Sequence, residues 1–156
     1  MKIAIGSDER THLTDAVIED MRGRGHEVVL MGALAEEDPE TDWPLTSRRV
    51  AEAVASGAAE EGIACCWTGT GASIAANKVA GVRAALCGDA ETARGARIWN
   101  AANVLALSLR ATSEPVAKEI LAAWFSTAPD DDEWNQRQIA RIRELDECYR
   151  GAPKTD

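Results

Sequence analysis

Basic residues, histidine and long apolar runs are all scarce in this chain. It carries 17 Lys and Arg against 26 Asp and Glu, a formal net charge of -9. That balance argues against sequence-independent binding to nucleic acid or to an anionic membrane, because neutralising phosphates needs clustered cations. A local arginine cluster would still admit a small anionic substrate. Met1 to Ser7 runs straight into a strand pattern with no long apolar segment behind it, so no signal peptide or membrane span is expected. The four cysteines, Cys65, Cys66, Cys87 and Cys148, form no C-x-x-C pair. Neither a metal site nor a disulfide framework is expected, and a reducing, cytoplasmic location fits. Only two histidines occur: His26, before a strand, reads as a surface residue, and His12 reaches toward a site at best from the first turn of a helix. Repeats, low-complexity segments and linkers are missing too. One domain over residues 1–150 with a tail at 151–156 is therefore expected, long enough to bury a real core.

What the chain does have is a stretch around which the rest is organised, Cys66-Trp67-Thr68-Gly69-Thr70-Gly71-Ala72-Ser73-Ile74-Ala75-Ala76-Asn77-Lys78. The small, apolar run Gly62 to Cys66 before it suits a buried parallel strand. Two glycines let the backbone turn, and Ala72 to Lys78 reads as the start of a helix. Several free N–H groups and the positive end of a helix dipole then face one small volume, with the Cys66 thiol and Thr68 hydroxyl at its mouth. Such a place suits a reaction that builds negative charge on oxygen, and its field favours a thiolate that acts as base or nucleophile. A tight turn with a buried structural cysteine is the plainer alternative.

Elsewhere, strands are expected at Lys2 to Ser7, Glu27 to Met31, Val82 to Cys87 and Val104 to Ser108. Helices are expected at Thr11 to Arg24, Leu45 to Ser56, Asp89 to Asn100, Pro115 to Phe125 and Trp134 to Arg150, with Asp89 able to cap its own. Acidic loops lie at Gly32 to Trp43 and Pro129 to Glu133. The alternation gives an α/β fold with a five-stranded parallel sheet covered on both faces and an extra C-terminal helix. Ligands of such sheets bind beyond the carboxyl ends of the strands, so Asp8, Cys66 with Thr68, and the end of the fourth strand are expected on one edge. Cys65 and Cys66, being adjacent, should face opposite sides of the sheet.

The central stretch, together with Gly81-x-Arg83-Ala84, Asn100, Asn103-Val104-Leu105-Ala106, Arg110 and Ile3-Ala4-x-Gly6-x-Asp8, resembles the sugar-phosphate isomerases of the ribose-5-phosphate isomerase B and galactose-6-phosphate isomerase family. The resemblance implies a Rossmann-like three-layer αβα sandwich, aldose–ketose isomerisation through an enediolate, and no metal or organic cofactor. It also implies a homodimer or homotetramer whose active site is shared between subunits, with a small sugar or sugar phosphate as substrate. Carried over by position, Cys66 is the base at carbon, Thr68 assists proton movement between oxygens, and the N–H groups of Gly69, Thr70, Gly71, Ala72 and Ser73 hold the enediolate oxygen. Asp8 binds a sugar hydroxyl, and Asn100, Arg110 and Arg137, with Arg141 beyond it, contact substrate or its phosphate.

The chain also departs from that family. Glu9 and Trp99 stand where the usual enzyme has histidines, Glu133 where it has a phosphate-binding arginine, Trp43 where it has tyrosine, and Trp67 where it has glycine. Indole donates but does not titrate, so Trp99 opens no sugar ring by acid–base catalysis. Ionised Glu9 and Glu133 repel a phosphate dianion. Trp43, Trp67 and Trp99 instead offer a flat apolar lining suited to a sugar face or a deoxygenated group. The expected substrate is therefore not plain ribose 5-phosphate. Two other readings stay open. One is a non-catalytic or half-site subunit completed by a second family member. The other is a dinucleotide-binding module, since Gly69-x-Gly71 ends a strand and Asp89 follows at the spacing of a ribose-binding acid, although Ile74 stands in place of the third glycine.

Overall fold

The computed structural model describes residues 1–149. Its elements run β1 (Lys2–Ser7), α1 (His12–Gly23), β2 (Glu27–Gly32), α2 (Trp43–Ala55), β3 (Glu61–Cys66), α3 (Thr70–Ala76), β4 (Ala84–Leu86), α4 (Ala90–Asn100), β5 (Val104–Ser108), α5 (Glu114–Ser126) and α6 (Glu133–Tyr149). The end of the last expected helix, Arg150, and the expected tail lie outside the described residues. All five strands are parallel in the order β2-β1-β3-β5-β4. The chain leaves β1 toward one edge and returns to place β3 on its other side, so the switch point falls between β1 and β3.

Two cores flank the sheet. Ile3, Ile5, Ile63, Leu105 and Leu107 pack against α1, α4 and α5 on one face, with Val17, Ile120 and Trp124 among the contributors. Ala4, Ala64 and Val104 pack against α2 and α3 on the other, through Val50, Ala51, Ala72 and Ala76. The strand alternation puts Cys65 in the first core and Cys66 in the second. All six residues of β3 are buried because β1 and β5 flank it and both faces are covered.

Boundaries differ from the sequence expectation where tertiary contacts decide them. β4 is an edge strand of three residues, shorter than Val82 to Cys87, because it pairs only with β5 over Ala84 to Leu86. β5, not β4, lies beside β3; the end of the fourth strand still reaches the same carboxyl edge, where Leu86 packs against Gly69, but it lines no part of the cavity that Asp8 and Cys66 share. α2 starts two residues earlier than expected, at Trp43, with Pro44 accommodated in its first turn. α3 starts at Thr70 and stops at Ala76. His26 is half-buried against Phe125, with ring centroids 5.2 Å apart, rather than a surface residue.

At the amino end of β3, Glu61 is buried and holds two partners. Its carboxylate lies 2.6 Å from Arg97 Nη2 and accepts the indole N–H of Trp124, while the Arg97 guanidinium sits 5.2 Å over the Trp124 ring. Arg97 also donates to the carbonyls of Thr127 and Ala102. One strand and two helices are thereby tied together at the end of the sheet opposite Cys66.

Candidate active site

The turn after β3 is fixed by β5, its neighbour in the sheet. Register places Cys66 beside Ser108. From there the Leu109 N–H donates to Cys66 O at 3.0 Å, the Arg110 N–H to Trp67 O at 3.0 Å, and Ser108 Oγ to Trp67 O at 3.0 Å. Gly69 completes the turn at φ +72°, and a Cβ there would meet the Leu107 backbone at 2.9 Å. Only glycine combines that left-handed conformation with that close approach. Ser108 carried no motif in the sequence; its part as a clamp follows from strand register alone.

Beyond this turn lies a cavity of about 300 Å³ lined by Asp8, Trp43, Cys66, Trp67, Thr68, Thr70 and Gly71. These are seven of the residues that the sequence singles out, brought from β1, α2 and the β3–α3 turn. Trp43 packs against Gly71, its ring 2.9 Å from where a Cβ would stand. Thr68 and Thr70 share a hydrogen bond between hydroxyls of 2.7 Å. The expected ring of five amides narrows to three: the Gly69 N–H donates to Cys66 O and the Ser73 N–H to Gly69 O. Those of Thr70, Gly71 and Ala72 meet no acceptor among the described residues and remain available.

Asp8 is the outlier of the whole polar inventory. Its Oδ1 is the buried side-chain oxygen or nitrogen without a partner among the described residues. Burial pushes the Asp8 carboxyl above its usual range, outweighing a backbone hydrogen bond that lowers it, and the neighbouring Glu9 charge adds to the rise. An unsatisfied buried carboxylate costs stability and is retained where a ligand satisfies it. A raised folded pKa means that the folded state holds the proton longer, so this group's contribution weakens as pH rises from its unfolded value through its folded one. Asp8→Asn removes that decline: Tm near neutral pH is expected to rise by about 1–3 °C, with the gain fading below the ordinary carboxylate range. Thermal unfolding of both proteins across pH measures it; a lower Tm for the variant at neutral pH would contradict the account.

The thiols divide sharply. Burial pushes Cys65, on the far face of β3, and Cys87 each up to about 12, which leaves them neutral and inert. Cys66 alone among the four lines the cavity, its side largely covered but facing Asp8 and Thr68.

Other residues expected at the site stand elsewhere in the chain. Trp99, on the last turn of α4, covers Gly95 and is 57% exposed. Asn100 lines a separate cavity of about 370 Å³ with Arg83, Ile142 and Asp146. Arg137 and Arg141 are exposed on α6, Arg137 lying 3.8 Å from Glu133 and Arg141 donating to Gln138. Arg110 and Glu9 are exposed and line no part of the Cys66 cavity, although the Arg110 backbone adjoins Trp67. The expected indole trio is thus split, with Trp43 and Trp67 together and Trp99 apart. Asp89 accepts from the Thr92 N–H and hydroxyl as the cap of α4, so it is not free to bind a ribose. Among the described residues no group of three or more His, Cys, Asp or Glu is placed to hold a metal ion, and no helix is long and apolar enough to cross a membrane.

Comparison with known proteins adds four findings. The model of a ribose/galactose isomerase family matches residues 3–142. Ribose-5-phosphate isomerase B of Escherichia coli is 39% identical over 137 residues, 87% of this chain and 91% of that protein. The galactose-6-phosphate isomerase subunit LacB of Clostridium acetobutylicum is 36% identical over 152 residues, 97% of this chain and 87% of that one. Among solved structures, the ribose-5-phosphate isomerase B of Clostridium thermocellum superposes with a TM-score of 0.86 at 38% identity, covering 96% of this chain and 99% of its own.

Proposed function

Because the chain belongs to the ribose/galactose isomerase family and is an isomerase, we propose that it interconverts an aldose and a ketose at Cys66, on a sugar or sugar phosphate other than plain ribose 5-phosphate. One observation carries the site: a thiol, a carboxyl with an unpartnered buried oxygen, and two residues with free amides, Thr70 and Gly71, line one small cavity, with the free Ala72 amide next in the same turn. The Cys66 thiolate takes the proton from the carbon next to the carbonyl, and the electrons of that C–H bond pass to the carbonyl oxygen. The Thr70, Gly71 and Ala72 amides stabilise the resulting enediolate, a kind of donor whose loss typically costs roughly 3–4 kcal/mol of barrier. Thr68, bonded to Thr70, moves the hydroxyl proton between the two oxygens. Cys66 then returns its proton to the neighbouring carbon, so no atom is gained or lost. Asp8 Oδ1 binds a substrate hydroxyl and so finds its missing partner.

The substrate reading rests on what lines the cavity. Two indoles and no Lys or Arg face Cys66 within the one chain. An apolar flank favours a sugar face or a deoxygenated carbon, and gives a phosphate no counter-charge at this end. Trp99 opens no ring, so the substrate arrives in its open-chain form. Asn100, Arg110, Arg137 and Arg141 lie outside the cavity, and we place them in the facing half of a site built by a second copy of the chain, in a homodimer or homotetramer. The test is a screen of open-chain and phosphorylated aldoses and ketoses in D₂O. Deuterium is expected at the carbon next to the carbonyl for a substrate other than ribose 5-phosphate; full-rate turnover of ribose 5-phosphate would refute the substrate assignment.

A further inference from the structure

We propose that Asp38 is a positioning residue for the Cys66 cavity, locking the β2–α2 loop through Arg49 so that Trp43 stays packed against Gly71. The inference rests on the reading of that cavity as the place of reaction. α2 begins with Trp43, yet its cap residue, Asp42, makes no side-chain hydrogen bond to the helix. A helix start without a cap frays, and here the frayed residue would be a wall of the site. The Asp38 side chain, 8% exposed, supplies the restraint from a distance. It accepts from the Gly32 N–H at the end of β2 at 2.9 Å, and from the Glu40 N–H within the loop at 3.1 Å. It also accepts from Arg49 Nη1, on α2, at 2.7 and 3.0 Å. Thr46 Oγ1 in the first turns of α2 donates to Glu40 O. The Glu40 amide, Arg49 and the Gly32 amide together hold the carboxyl below its usual range, so the clasp is ionic at neutral pH.

The surroundings leave α2 little freedom once this clasp is closed. Gly32 takes φ +65°, and a Cβ there would meet Ser7 O at 2.5 Å and Thr46 at 2.6 Å, so the end of β2 and the start of α2 touch without an intervening side chain. Trp43 is then fixed at its root by the clasp and at its ring by Gly71. The same Gly71 carries one of the three free amides. Holding the indole there keeps the cavity narrow and shields that amide from water.

The full chain and three variants, Asp38→Asn, Trp43→Ala and the double variant, decide the matter without a known substrate. Iodoacetamide labelling, followed cysteine by cysteine by mass spectrometry, reads access to Cys66, while buried Cys65 and Cys87 report any general loosening. Asp38→Asn is expected to raise the Cys66 rate about fivefold with Cys65 and Cys87 unchanged, as a local opening would. It is expected to add nothing in the Trp43→Ala background. Its tryptophan emission should also differ from that of the parent, and the difference should vanish when Trp43 is absent. An unchanged Cys66 rate, an equal rise at all three thiols, or additive effects of the two substitutions would each overturn the proposal. Failure of the functional reading is separate: isomerase activity surviving Cys66→Ala would remove it while leaving the labelling result intact.

Discussion

Cys66→Ala is expected to lower isomerase turnover by about a thousandfold or more while leaving the fold in place, since a positioned proton-transfer group typically contributes roughly 10²–10⁴. Two facts make the loss specific. Cys66 is the thiol that lines the cavity, and its neighbours on the strand and elsewhere, Cys65 and Cys87, are held neutral by burial. The side chain removed is small, so the cost in stability is that of a minor cavity. The shared-site arrangement adds a second readout. If Arg137 serves the Cys66 of another copy, inactive Cys66→Ala and Arg137→Ala chains mixed and reassembled regain about a quarter of the parent activity, because half of the random dimers carry one intact site of two. Retained activity in Cys66→Ala alone would end the thiol account. Loss of activity without complementation would keep the thiol and discard the shared site.

Glu61→Ala is expected to lower stability by about 3–5 kcal/mol, a fall in Tm of roughly 10 °C for a chain of this size. The substitution leaves the Arg97 guanidinium buried without its carboxylate and the Trp124 indole N–H without an acceptor. Burial pushes the Glu61 carboxyl above its usual range, against the lowering by Arg97 and Trp124, so the partners sustain a charge that the surroundings disfavour. Removing one member is therefore worse than removing both, and Glu61→Leu with Arg97→Met should recover much of the loss. Urea unfolding of the single and double variants measures this. A single-variant loss below about 1 kcal/mol would show that the triad is not an anchor. Activity of the folded fraction should stay close to that of the parent, because Glu61 and Cys66 stand at opposite ends of β3, five residue steps or about 16 Å apart.

The two sites were not equally visible in the sequence. The Cys66 turn is a contiguous motif: its glycines, thiol and hydroxyls state a strand, a tight turn and a cluster of amides before any fold is known. The Glu61, Arg97 and Trp124 anchor has no such signature, since its members lie 36 and 27 residues apart along the chain. Asp38 reads in sequence as one more charge in an acidic loop, and only its convergence on Gly32, Glu40 and Arg49 makes it a clasp. Even within the motif, which amides are free was decided by how the turn closes on itself, the Gly69 N–H donating to Cys66 O and the Ser73 N–H to Gly69 O.

Sequence by itself determined the order of strands and helices, the parallel class of the sheet and the identity of the thiol at the turn, because these follow from apolar period, glycine placement and residue chemistry over short spans. Tertiary structure alone decided that β5 rather than β4 flanks β3, that Trp43 and Trp67 meet at the cavity while Trp99 stands apart, and that Asp8 keeps an oxygen without a partner. The physical reason is range: local pattern fixes what a segment becomes, whereas which distant groups share one small volume depends on packing between elements far apart in the chain.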